Sequence, residues 1–192
     1  GEPGTQLTMR TFHTGGIAGE DITHGLPRVV ELFEARSPKG KAVLARFDGV
    51  VRLSDDEVKG RLVTVVGNDG TEETVAVPTR AKLEIADGDE VRAGDALVEG
   101  PKDPRDLLEI KGIRETQIYL VSEVQKVYRD QGVSLHDKHI ELIVRQMLRR
   151  VAVQDPGESS FLPGERVDSK RFADLNRELA QEGKHPAEGR PE

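Results

Sequence analysis

The sequence predicts an α+β fold, on three observations. Two short helix-compatible segments open the chain, β-branched residues alternate between turn signals from about residue 41 to 103, and helical periodicity takes over at Pro104. With 192 residues, one or two small domains are expected. Aromatic residues make up only 4% and charged residues 33%, so the core must rest on Val, Leu, Ile and Ala. Four segments follow: a helical hairpin at 1–36, a small antiparallel, barrel-like β module at 37–103, a helical segment packing on it at 104–150, and a hairpin, helix and polar tail at 151–192.

Gly1, Pro3 and Gly4 punctuate a turn, and a helix-compatible run at 5–13 ends at the pair Gly15-Gly16. Gln6, Met9, Arg10 and His13 recur at helical spacing and share one face. An amide, a thioether, a guanidinium and an imidazole make a poor core stripe but a plausible hand for an anionic, planar ligand. The second helix, 25–36, is ordinary: Leu26, Val29, Val30 and Phe33 form a stripe, and Pro27 suits its first turn. Both helices fall short of the roughly 12–15 residues at which an isolated helix becomes marginally stable. The first, having no apolar stripe, is expected to order only when something completes it.

Ser37-Pro38-Lys39-Gly40 breaks the helical pattern. A strand is expected at 41–47 with Val43, Ala45 and Phe47 on one side, then strands at 49–53, 61–66 and 74–77. Asn68-Asp69-Gly70 between two β-branched runs is a hairpin signal. Asp87-Gly88-Asp89 reverses the chain between short strands at 82–85 and 96–99, and Pro163-Gly164 echoes that pattern in the same module. The long helix from Pro104 carries Leu120, Val124 and Val127 as a ridge, with Val121 and Tyr128 beside it, and stops near Gly132. Ser134 as N-cap, with Asp137 three residues on, starts a partner helix whose apolar face is Ile140, Ile143, Val144, Met147 and Leu148. These two form an antiparallel pair. Residues 168–182 are helix-permissive and 183–192 are expected to fray.

Charge and composition limit function. A net charge of −7 argues against wholesale coating of nucleic acid. The absence of cysteine excludes disulfides and thiolate metal sites, and no apolar run approaches the roughly 20 residues that span a bilayer. The chain has no initiator Met and begins within a motif, so a piece of a longer polypeptide is expected.

Among candidate sites, His13 stands first. Imidazole exchanges a proton near neutrality or, protonated, offsets charge on a phosphate leaving group, and Arg10 one turn earlier offers a fork matched to phosphate oxygens. Met9 gives a soft surface on which a base could rest. The other candidates have simpler readings. His136 and His139 lack a third metal ligand and read as capping and exposed residues. Asp87-Gly88-Asp89 lacks the closing Glu of a calcium loop, and Arg145, Arg149 and Arg150 read as a solvated face as readily as a nucleic-acid contact. No metal site is assigned.

The run Gly4-Thr5-Gln6-Leu7-Thr8-Met9-Arg10-Thr11-Phe12-His13-Thr14-Gly15-Gly16 resembles the trigger loop of the largest (β′) subunit of bacterial DNA-directed RNA polymerase. The resemblance continues through Asp21-Ile22-Thr23-His24-Gly25-Leu26-Pro27-Arg28-Val29 and Glu31-Leu32-Phe33-Glu34-Ala35-Arg36. It resumes at Val121-Ser122-Glu123-Val124-Gln125-Lys126-Val127-Tyr128-Arg129 and from Asp137-Lys138-His139-Ile140-Glu141 to Arg149. The middle, 41–103, is least distinctive and corresponds to the family's jaw, which lies against downstream DNA.

The resemblance implies a C-terminal piece of β′ engaged in nucleotidyl transfer, RNA being elongated from nucleoside triphosphates on a DNA template. Carried over, Gln6 approaches the ribose, Met9 packs on the base, Arg10 and His13 contact the phosphates, and Leu7, Thr11 and Phe12 support the folded hairpin, with Gly15 and Gly16 as hinge. The implied role of His13 is that of a general acid or of a positioned charge. Implied partners are the α, β, ω and sigma subunits, nucleoside triphosphates, template DNA and RNA, and regulators at the jaw; implied localisation is the bacterial cytoplasm, at the nucleoid. Mg2+ belongs to the complete enzyme: the Asn-Ala-Asp-Phe-Asp-Gly-Asp motif, the bridge helix and the zinc cysteines are not in this sequence, so the chain alone is expected to bind no metal and to be inactive. His24 stands where the family more often has Gln or Gly, and the loop between Gly16 and Asp21 is short. A rival class is a non-catalytic interaction module, with residues 37–182 presenting strand edges to regulators. An independent DNA-binding protein is disfavoured by the charge.

Overall fold

A computed structural model of the chain describes residues 25–56 and 60–192. The described residues hold four helices and two antiparallel sheets, the expected α+β class. They divide into two compact units, Glu34–Lys111 in one and residues 25–33 with Gly112–Glu192 in the other.

The first unit is built on a curled, four-stranded half-barrel of order β3-β2-β1-β4. Its strands are β1 (Gly49–Asp56), β2 (Gly60–Gly67), β3 (Glu72–Val77) and β4 (Glu90–Val91). Strict alternation decides which face is buried. Val63 and Val65 of β2 point inward, paired with Leu53 and Val51 of β1, and Val51 and Val63 are fully inaccessible. On the outward face the Thr64 and Thr74 hydroxyls meet at 2.9 Å across β2 and β3. The Asn68-Asp69-Gly70 turn closes this hairpin as expected, with the Asp69 carboxylate accepting from the Thr71 amide at 3.0 Å. That amide holds the exposed Asp69 carboxyl below its usual range.

Residues 41–47 do not form the expected strand. Ala42, Leu44 and Ala45 are all buried, which a strand with one face in solvent does not permit, and the segment makes one isolated bridge, Leu44 to Ala96. Val43, Ala45 and Phe47 nonetheless pack in the predicted core with Leu97 and Val98. The strands expected at 82–85 and 96–99 likewise reduce to one bridge, Leu83 to Val98. The reversal between them feeds β1 instead, because Gly88 donates to the Val51 carbonyl and Val51 donates back to Asp89, both at 2.9 Å.

In the second unit α1 (Leu26–Phe33), the part of α2 (Pro104–Asp130) from Gly112 onward, and α3 (Asp137–Met147) share one core. It holds Val29, Leu32, Leu120, Val124, Tyr128, Val133, Ile140 and Val144. Gly112 interrupts α2 with φ 81° and ψ −173°, a conformation open essentially to glycine alone. Ser134 is not the cap of α3. His136 is, its Nδ1 accepting from the Lys138 amide at 3.1 Å. The reason lies in α2, where buried Gln125 donates to the Leu135 carbonyl at 2.6 Å and to Asp137 Oδ1 at 2.5 Å, occupying the carboxylate expected to close the capping box. Ile143, assigned to the apolar face, is 44% exposed beside Leu142 at 60%.

A second sheet, β6-β5-β7, follows: β5 (Arg150–Asp155), β6 (Arg166–Asp168) and β7 (Glu188–Pro191), with α4 (Ser169–Gln181) capped by Asp168. The Pro163-Gly164 turn therefore belongs to this sheet and not to the half-barrel. The tail expected to fray is strand β7, whose Ala152–Arg190 register is held by Asn176, bracketing Ala187 with two 2.8 Å hydrogen bonds. Val153, Phe161, Val167 and Ala187 form its core, and Phe161 stacks on Phe172 at 5.8 Å.

Candidate functional site

The residues read from sequence as catalytic or binding (His13, Arg10, Gln6 and Met9), their supports Leu7, Thr11 and Phe12, and the hinge pair Gly15 and Gly16 lie outside the described residues. What is described is the point where the chain carrying them joins a folded core. Gly25, with φ 67°, turns the chain into α1, and its carbonyl accepts from the Arg28 and Val29 amides at 3.1 and 3.3 Å. Pro27 occupies the first turn, where its missing N–H costs nothing.

Arg28, in the first turn of α1, is 8% exposed. Its Nη1 donates to Glu31 one turn on. Its Nη2 donates to Glu123 of α2 at 3.0 Å, 95 residues away in sequence, with the Tyr119 hydroxyl at 3.4 Å. Burial alone would lower the guanidinium's pKa. The Glu123 hydrogen bond and the charges of Tyr119, Glu123 and Glu31 outweigh it and hold the group above the ordinary arginine value, so Arg28 is a fixed cation. One α1 side chain thus grips its own helix and two successive turns of α2. The planar fork makes this possible, since a lysine ammonium is a single point of donation. Sequence reasoning passed over Arg28 because its partners lie far off in the chain; the only local signal is Arg28 with Glu31 at i, i+3.

A second buried ionic group lies in the other unit. Asp103, 3% exposed, accepts from the Arg105 amide at 3.0 Å and faces Lys41 Nζ at 3.5 Å. Lys41 also donates to Asp106 at 2.8 Å. Burial pushes the Asp103 carboxyl up, but hydrogen bonds from Ser37 and Arg105 and the charge of Lys41 prevail and hold it below the usual range. These groups fasten the start of α2 to the chain ahead of β1.

Among the described residues no three His, Asp or Glu side chains converge as metal ligands. Asp87 and Asp89 are engaged by the Leu53 and Ala86 amides, as a turn requires. No helix among the described residues is long and apolar enough to cross a membrane.

The profile of the family RNA polymerase Rpb1, domain 5 matches residues 1–63 and 54–169. The chain is 57% identical over 190 residues to the DNA-directed RNA polymerase subunit beta' of Caldicellulosiruptor saccharolyticus, covering 99% of this chain and 16% of that protein. It is 57% identical over 192 residues to the subunit of Pelotomaculum thermopropionicum, covering 100% of this chain and 16% of that one. The Streptomyces coelicolor subunit is 55% identical over 193 residues, covering 100% of this chain and 15% of the relative. The chain thus spans about a sixth of the length of these relatives, 16% in two of them. At this identity across its whole length, the chain belongs to the Rpb1 domain 5 family, among the bacterial DNA-directed RNA polymerase β′ subunits.

Proposed function

We propose that this chain is the part of a bacterial RNA polymerase β′ subunit that closes over the incoming nucleoside triphosphate during RNA synthesis. The observation that carries the reading is 57% identity, over 99% of the chain, to a protein named DNA-directed RNA polymerase subunit beta'. Residues 1–36 act as the trigger loop, residues 37–103 as the jaw against downstream DNA. Gln6 meets the ribose, Met9 the base, and Arg10 and His13 the phosphates, with Leu7, Thr11 and Phe12 supporting the closed hairpin about the hinge Gly15-Gly16. Arg10 offers two parallel donors to phosphate oxygens, and the His13 imidazolium offsets charge growing on the leaving group.

The catalytic Mg2+ supplies Lewis-acid chemistry in the complete enzyme and is assigned to carboxylates outside this chain. Partners in this reading are the α, β, ω and sigma subunits, template DNA, RNA and regulators docking at the jaw, in the bacterial cytoplasm at the nucleoid. An element that closes on substrate acts by gating. His13→Ala in the whole polymerase is expected to slow single-nucleotide addition by about 10²-fold, the size of a general acid–base contribution, with assembly intact. An unchanged elongation rate in rapid-quench experiments would refute the assignment.

The rival class of interaction module gains one observation: Leu142 and Ile143 of α3 and Leu162 are 60%, 44% and 69% exposed. We read these as surfaces on which other parts of the polymerase rest, so the two classes converge on one assembly.

A further inference from the structure

We infer that Arg28 is a positioning residue for nucleotide addition: it sets where α1 begins on α2, and so the point from which the chain bearing Gln6, Met9, Arg10 and His13 departs. The inference rests on the reading of residues 1–36 given above.

Every covalent link between those four residues and the described core passes through Gly25, and the first charged side chain after it is Arg28. The neighbouring anchors of α1, Val29 and Leu32, are apolar and buried. Apolar contacts, including those of the half-buried Leu26 and Phe33, are non-directional and do not by themselves single out one rotation of so short a helix. The guanidinium differs. Its fork reaches Glu123 and Tyr119 on one helix and Glu31 on its own, and the three acceptors are satisfied together at one register of α1 on α2. Burial at 8% exposure keeps water from replacing them. Arg28 touches no substrate in this scheme, and its effect is carried by the geometry of the helix start.

Loosening this anchor lowers the fraction of enzyme poised to close, and a smaller competent fraction raises the apparent KM in inverse proportion while saturating substrate restores the rate. The whole polymerase is the object of the test, with single-nucleotide addition followed by rapid quench over a range of nucleotide concentrations. Arg28→Ala is expected to raise the apparent KM about tenfold, Arg28→Lys about threefold, and Glu123→Gln by a similar smaller amount, with kcat within about twofold of the parent. Damage to folding alone would reduce the active fraction, lowering kcat per molecule at unchanged KM. Val29→Ala loosens the same helix without touching the fork and is expected to leave KM unchanged.

Parental KM values in Arg28→Lys and Glu123→Gln overturn the inference, as does an equal KM rise in Val29→Ala. If Arg28→Ala does not assemble, those two milder variants decide. His13→Ala, run alongside, separates the failures. A slowed His13→Ala with a parental Arg28→Lys defeats the positioning role alone, whereas an unaffected His13→Ala defeats the functional reading beneath it.

Discussion

Replacing Asp103 by Asn keeps the shape of a buried side chain and removes its charge. The carboxylate is 4% exposed, and three interactions depend on it. The first, from the Arg105 amide to Oδ1 at 3.0 Å, survives in the amide side chain. The second, to Lys41 at 3.5 Å, is long, involves a lysine side chain 42% exposed, and is replaceable by Asp106 at 2.8 Å, so its loss costs about 0–1 kcal/mol. The third, from Ser37, is a hydrogen bond to a charged acceptor, a class worth about 1.5–3 kcal/mol. The sum is about 2 kcal/mol at neutral pH.

That difference must depend on pH in a fixed direction. A carboxyl held below its unfolded pKa of 3.8 contributes stability above that value and loses it as pH falls toward the folded value. Lys41, whose pKa is raised by Asp106, contributes below 10.5 and loses its part only as pH rises beyond it, so it does not alter the acid window. Urea unfolding of the 192-residue chain, followed by circular dichroism, should show Asp103→Asn destabilised by about 2 kcal/mol at neutral pH, the gap closing below about pH 4. A gap equal at neutral and acid pH, or wider in acid, would refute the charge-based account.

Two further outcomes are expected. Gly112→Ala places a Cβ where nothing lies within 4 Å, so its cost is purely the backbone conformation, about 1–3 kcal/mol, read as a lower unfolding midpoint. Asn176→Ala removes both bonds that bracket Ala187, and should cost about 2 kcal/mol while speeding hydrogen exchange at the Arg190 amide of β7, which faces Ala152 of β5, by at least tenfold; unchanged exchange there would mean the strand is held by its ladder alone.

Where the determinants are local in sequence, the fold was legible. Asn68-Asp69-Gly70 between Val-rich runs specified the β2–β3 hairpin, and one-turn spacing placed Leu120 and Val124 on the buried ridge of α2, which Tyr128 completes in place of the half-buried Val127. Ring-building segments read less well. At 41–47 both Leu44 and Ala45 are buried, because the segment is enclosed by the turn at Gly94 and by Leu97, contacts some 50 residues distant that no period reveals. The 183–192 tail carries Gly and Pro at strand-breaking frequency, yet β7 lies at an edge, where proline is tolerated. The cap of α3 moved from Ser134 to His136 because Gln125, ten residues from Leu135, claims the connecting turn. The polar face of Gln6, Met9, Arg10 and His13 is visible in spacing alone, whereas its anchor at Arg28 depends on Glu123 and leaves almost no trace in the local sequence.

Stability does not account for that anchor. A buried ion pair recovers its desolvation cost only with excellent geometry, and apolar side chains of similar volume commonly serve a core as well or better. The core around Arg28 shows the alternative at work: Val29, Leu32, Leu120 and Val124 hold α1 and α2 without a polar atom among their side chains. A Met or Leu at position 28, with its two acidic partners made apolar, would satisfy the same packing requirement. What those residues could not supply is direction. The fork constrains rotation and register of α1 simultaneously, through acceptors at 3.0 and 3.4 Å on α2 and a third on α1 itself. In a helix of only eight residues, too short to fix its own register by extended packing, that constraint falls on a single side chain.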